Sequence, residues 1–162
     1  MIFYGGYLVG SPKRPWDENS WACSRIDILV GMPVASGHVT CPFCSLPPER
    51  IELERELAFT IRDGYPVSPG HTLVIPRRHC ATYFDATPEE QAALWALVDE
   101  TRRELDAHLD PRPDGYNVGF NAGEAAGQTV MHLHIHVIPR YTGDVENPRG
   151  GVRWVVPDKA DY

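Results

Sequence analysis

Apolar and polar residues along this chain follow two different periods, and the change from one to the other outlines the fold. Residues 132–137 read His-Leu-His-Ile-His-Val. Side chains of a β-strand repeat every two residues. Leu133, Ile135 and Val137 therefore share one face, and His132, His134 and His136 share the other. The apolar row has a core to fill. Three adjacent imidazoles crowd one another and add little packing, and such a row handles phosphate, protons or metal. A two-residue period also marks 56–62, with Leu57, Phe59 and Ile61 on one side, and 71–76, a short strand (His-Thr-Leu-Val-Ile-Pro) ended by proline. Asp63-Gly64-Tyr65-Pro66 and Ser68-Pro69-Gly70 read as the turns between them.

Residues 88–108 carry the helical period. Thr87 supplies the N-cap, Pro88 takes the first helical position and Glu90 completes a capping box. Leu94, Leu97, Val98, Thr101 and Leu105 form the inner stripe. Asp110-Pro111 and Pro113-Asp114-Gly115 stop the helix. Strands at 116–121 and 131–138 follow, joined by a Gly- and Ala-rich loop, and a further short strand is expected at 152–156. Residues 1–40 show little period. Ser11–Pro15 and Gly31–Pro33 read as turns there, and Met32 is an alternative start. The expected organisation is a loose N-terminal extension over 1–40, a core domain over 41–141 and a tail over 142–162.

Composition narrows the class. A chain of 162 residues with 43% hydrophobic content suits one globular domain. No stretch approaches the ~20 apolar residues of a membrane span, and Met1–Gly10 lacks a basic segment and a cleavage site, so a cytoplasmic protein is expected. The net charge of −7 argues against tracking a nucleic-acid backbone but leaves a single nucleotide open. The four cysteines, Cys23, Cys41, Cys44 and Cys80, are expected to be reduced in that compartment. Cys41-Pro42-Phe43-Cys44 has zinc-knuckle spacing. A redox pair would need a helix starting there, and Ser45-Leu46-Pro47-Pro48 makes a poor one.

Two segments then resemble one family. Ala126-Gly127-Gln128-Thr129-Val130-Met131-His132-Leu133-His134-Ile135-His136-Val137-Ile138-Pro139-Arg140 is similar to the histidine-triad (HIT) signature. Gly70-His71-Thr72-Leu73-Val74-Ile75-Pro76-Arg77-Arg78-His79 resembles that family's Gly-His strand. The resemblance implies an α+β fold: an antiparallel sheet of about five strands with one long helix, paired edge to edge into a homodimer. It implies a nucleotide-binding hydrolase or nucleotidyl transferase acting at an α-phosphate. Pro139-Arg140 and the 124–129 loop look more like the dinucleoside-polyphosphate hydrolase branch. A nucleoside phosphoramidase and a dinucleoside-polyphosphate phosphorylase are the near alternatives. A non-catalytic nucleotide-binding module is the alternative of another class.

The resemblance also implies roles. His134 is the nucleophile, forming a nucleotidyl-phosphohistidine. His136 and His71 hold phosphate oxygens or protonate the leaving group. Gln128 and Thr129 reach the phosphate, Asn121 lies near the leaving side, and Asp63 binds ribose hydroxyls. Phe59 and Ile61 offer an apolar surface to a base. The metal-binding branch takes zinc on Cys41, Cys44, His79 and His132, with His38 and Cys80 as spare donors. The zinc is structural, and the chemistry needs no cofactor. Simpler readings stand beside these. His71 is then a structural histidine, Asn121 a turn residue, Gln128 and Thr129 loop closers, Asp63-Gly64 an ordinary turn pair, and the two thiols free and buried. Arg149 and Arg153 would reach a phosphate or lie on the surface. A facial metal site on the three triad histidines is a further alternative.

Overall fold

The computed structural model describes residues 41–160. The turns expected at 11–15 and 31–33, the alternative start at Met32, Cys23 and His38 lie outside the described residues. Five strands, β1 (Ile51–Glu54), β2 (Ala58–Arg62), β3 (Thr72–Pro76), β4 (Gly115–Gly119) and β5 (Ile135–Arg140), form one sheet in the order β1-β2-β3-β5-β4. Each neighbouring pair is antiparallel. One long helix, α1 (Pro88–His108), joins β3 to β4. The five-stranded antiparallel sheet and single long helix are those the family resemblance implies. Among the described residues no helix is long and apolar enough to cross a membrane.

Register assigns the two faces, because paired residues of adjacent strands point the same way. Thr60 pairs with Val74 and Val74 with Ile135, while Thr72 pairs with Val137 and Val137 with Val118. This face receives α1. Leu94, Leu97, Val98 and Leu105 pack there against Val74, Leu133, Ile135 and Val137. Burial of each of these side chains contributes about 2 kcal/mol. On the opposite face Phe59 pairs with Ile75, Ile61 with Leu73, and Leu73 with His136. The apolar four of that group are covered by Phe43, Leu46 and Ile51, so the face away from the helix carries an apolar patch with imidazoles at its border.

The start of α1 follows its sequence. Thr87 Oγ1 accepts the Glu90 backbone N–H at 3.3 Å, and Glu90 Oε2 accepts the Thr87 N–H at 2.8 Å. Glu90 also takes both arms of Arg78, at 2.8 and 2.7 Å, and that guanidinium holds its carboxyl below the usual carboxylate range. The pair ties the helix start to the residue next to His79. At the mouth of β3, Gly70 has φ +83°, and a Cβ there would lie 2.5 Å from Leu109 Cδ1. Only glycine fits this turn.

Five elements differ from expectation. β1 was missed because Ile-Glu-Leu-Glu is too short to show a period, and its register shifts within four residues. β2 starts at Ala58 and β4 ends at Gly119, which leaves Asn121 beyond the strand. β5 begins at Ile135, since the Leu133 N–H bonds Cys80 O at 2.8 Å, outside the ladder. Residues 132–134 form a buried lead-in rather than one open face of a strand. Finally, the strand expected at 152–156 is a 3₁₀ helix, Gly151–Val155. Gly150 and Gly151, both at positive φ, turn the chain into it.

Candidate active site and metal centre

The three triad histidines face three different partners. His132 is 1% exposed. Its Nδ1 lies 3.4 Å from Cys41 Sγ and 3.6 Å from Cys44 Sγ, and Cys44 Sγ lies 3.2 Å from His79 Nδ1. The four donor atoms sit within 4.8 Å of one another. A tetrahedral zinc with Zn–S of about 2.3 Å and Zn–N of about 2.05 Å has S···N edges of about 3.6 Å, so these residues fit the ion. His132 Nε2 is 2.9 Å from the Pro76 carbonyl. That bond keeps the proton on Nε2 and leaves Nδ1 free for a metal, the outer-shell support expected of a ligating histidine. Burial lowers the pKa of His132 and so favours the ligating, neutral form. Cys80 lies in the helix-side core and is not a member of the cluster. The sequence alone gave Cys41 and Cys44 by spacing, and the structure brings His79 and His132 to them.

His134 is also buried, at 8%. Its Nδ1–H donates to its neighbour's carbonyl, His132 O, at 2.8 Å. In the uncharged ring this bond puts the proton on Nδ1 and the lone pair on Nε2. The Phe43 ring stands edge-on to His132 and His134, with centroids 5.8 and 5.3 Å away. Phe43 belongs to the Cys-Pro-Phe-Cys turn, so the metal-binding segment also forms a wall beside His134. No sequence signal marked that contact.

His136 lies on β5 and faces His71, which stands just before β3. His71 Nε2 and His136 Nδ1 are 3.0 Å apart. Asp63 Oδ2 lies 3.4 Å from His71 Nε2 and 3.8 Å from His136 Nδ1. Burial, then the neighbouring His134 and His71, push His136 down to about 4. Burial also lowers His71, against the pull of Asp63. Both shifts favour the neutral rings. Because the triad rings turn to Cys41 and Cys44, to the His132 carbonyl and to His71, they do not form one facial metal site together.

The remaining candidates divide. Asp63 joins both readings: Oδ1 accepts the Tyr65 N–H at 2.8 Å, closing the turn, while Oδ2 faces the two imidazoles. Gln128 is turned into its own loop. Its amide donates to Ala81 O at 2.6 Å and Val130 O at 3.0 Å, and its Oε1 accepts the Gly123 N–H at 2.8 Å. These bonds use the side chain's donors and acceptor in holding the 123–130 loop. Thr129 is exposed and Asn121 half-buried. Phe59 and Ile61 lie on the same sheet face as His136, at 5% and 2% exposure, covered by Phe43, Leu46 and Ile51. In the tail, the Arg153 guanidinium donates to the carbonyls of Ala160 and Lys159.

Comparison with known proteins agrees with this geometry. Residues 47–143 match a family model described as the HIT domain. An AP-4-A phosphorylase of Mycobacterium tuberculosis (strain ATCC 25618 / H37Rv) is 33% identical over 146 residues, spanning 83% of this chain and 74% of that protein. A bis(5'-adenosyl)-triphosphatase of Dictyostelium discoideum is 40% identical over 92 residues, spanning 57% of this chain and 60% of that protein. The crystal structure of a Zn-bound histidine triad family protein from Mycobacterium smegmatis matches with a TM-score of 0.57 and 38% identity, over 67% of this chain and 80% of that one.

Proposed function

The chain belongs to the HIT domain family, and from that premise we propose that it cleaves dinucleoside polyphosphates or related adenylylated compounds at the α-phosphate through His134. The observation that carries this reading is the bond from His134 Nδ1–H to the His132 carbonyl. It immobilises the ring and, in the uncharged imidazole, puts the lone pair on Nε2, the state a nitrogen nucleophile needs. In the first step Nε2 bonds to the α-phosphorus, and the bond from that phosphorus to the bridging oxygen breaks. The leaving polyphosphate departs with the electron pair. In the second step an acceptor oxygen takes the nucleotidyl group, the P–N bond breaks, and His134 regains its lone pair. Splitting one displacement into two lowers each barrier. His136 serves the phosphate oxygens, with His71 bonded to its inner nitrogen. Asp63, at the edge of the apolar patch formed by Ile61 and Leu73, is placed for a ribose diol, a carboxylate being able to accept two hydrogen bonds.

Two acceptors separate the reactions of the relatives. With water, diadenosine tetraphosphate yields AMP and ATP. With inorganic phosphate it yields ADP and ATP. The phosphorylase reading is the stronger second one, because the similarity to the M. tuberculosis enzyme runs over most of this chain. Incubation with diadenosine polyphosphates and with an adenosine phosphoramidate, each with and without phosphate, decides between them by the product nucleotides. Absence of turnover on all of these substrates would leave only the binding-module alternative.

Zinc is the metal that suits Cys41, Cys44, His79 and His132. With four protein donors it has no open position, and when bound it supplies a cross-link between the 41–44 turn and the strand ends at His79 and His132 rather than reaction chemistry. The edge-to-edge homodimer remains part of this proposal. It is supported by the place of β4 at the end of the sheet, and a monomer mass by light scattering at working concentration would remove it.

A further inference from the structure

The hydrogen bonds around His71 have a direction, and a backbone group sets it. The Val67 N–H donates to His71 Nδ1 at 3.3 Å. A backbone amide can only donate, so Nδ1 of a neutral His71 is bare and its proton is on Nε2. That N–H has two acceptors in front of it: His136 Nδ1 at 3.0 Å and the Asp63 carboxylate at 3.4 Å. Two N–H groups cannot face each other at 3.0 Å, so His136 Nδ1 is bare and its own proton is on Nε2. The opposite polarity would set an Nδ1–H of His71 against the Val67 N–H.

We propose that His71 is a positioning residue, which holds His136 in the tautomer that presents Nε2–H to a substrate oxygen. This rests on the reading of His134 as nucleophile. The site then contains two imidazoles, two residues apart, with opposite outer nitrogens. His134 is pinned through Nδ1–H to a carbonyl and offers a lone pair. His136 is pinned through a bare Nδ1 and offers a proton for hydrogen bonding. His136 acts as a neutral donor to the developing negative charge, so no proton leaves the ring and none needs replacing. His136 keeps a quarter of its side chain exposed, whereas His132 and His134 are buried. On the same logic Asp63, His71 and His136, which converge as three potential ligands, are not expected to hold a second metal. A metal on His71 Nε2 would force the proton onto Nδ1, against the Val67 amide.

The test has a spectroscopic arm and a kinetic arm. In the zinc-loaded protein with ¹⁵N-labelled histidine, two-bond correlations at pH 7 are expected to show His136 protonated on Nε2 and bare on Nδ1, and His134 the reverse. A His136 protonated on Nδ1 would overturn the proposal, and so would a second equivalent of Zn²⁺ or Co²⁺ bound through Asp63, His71 and His136. In the kinetic arm, His71→Leu is expected to lower kcat about 10²-fold, the usual cost of losing one aligned donor, with a smaller change in KM. His71→Gln carries an acceptor and a donor side by side and is expected to recover most of that loss. Equal defects in the two variants, or an unchanged kcat in His71→Leu, would refute the role. If the unaltered protein turns over no adenylylated substrate, the nucleophile reading fails, and the donor role falls with it. The tautomer spectrum tells that failure apart from an error in the bonding pattern.

Discussion

His134→Ala is expected to lower kcat on a dinucleoside polyphosphate by about 10⁴-fold or more, the scale seen when a covalent nucleophile is removed. Nucleotide affinity should change little. The group assigned to the nucleoside, Asp63, lies in the turn between β2 and β3, away from the lead-in that carries His134. Product formation measures the first quantity and calorimetry with a non-hydrolysable nucleotide the second. Rapid acid-free quenching of the unaltered protein with labelled substrate should capture phosphorus on one histidine, and that label should vanish in His134→Ala. Undiminished turnover in the variant would dispose of the covalent route. Loss of turnover together with loss of binding would shift His134 to substrate holding.

Zinc removal is the second large effect. The freshly purified protein is expected to carry about one zinc per chain, and Cys41→Ser or Cys44→Ser is expected to lose it. Structural zinc binds with an apparent free energy of roughly 10 kcal/mol in small domains. If a third of that, about 3 kcal/mol, stabilises this ~120-residue body, the thermal midpoint should fall by about 10 °C. A chelator should therefore loosen the fold and reduce activity together. Activity lost at an unchanged midpoint would mean that the metal acts on the site beside His134 rather than on the fold as a whole. Well under one zinc per chain, with no response to chelation, would return Cys41 and Cys44 to two ordinary thiols. Burial of His132 and its Pro76 bond remain in either case, so His132→Ala would not separate these outcomes and the cysteine variants are preferred.

The helix was legible to its last residue, and the reason is local. Its cap, its proline start, its leucine stripe and its stop signals all lie within or beside the segment they define. The two-residue period gave the strand pairs in the same way, and it correctly separated Leu133, Ile135 and Val137 from the histidines. It failed where contacts distant in sequence decide. Residues 132–134 look like strand, yet Cys80 and Pro76 take their hydrogen bonds, so the ladder starts later. The cluster of Asp63, His71 and His136 spans more than 70 positions, and only the pairing of β3 with β5 brings it together. Gln128 shows the reverse case. A motif marks its position, but the local loop consumes its amide. The role of the Val67 amide was invisible because a backbone N–H has no letter in the sequence.

Phe43 joins the two centres mechanically. It sits between the two thiols in sequence and against the rings of His132 and His134 in space. Whatever releases the Cys41–Cys44 turn also withdraws the side wall of the nucleophile. The rate of reaction should then respond to a loosening too slight to register as melting, and a partly metal-starved sample would behave as a mixture of fast and sluggish molecules rather than as folded and unfolded ones.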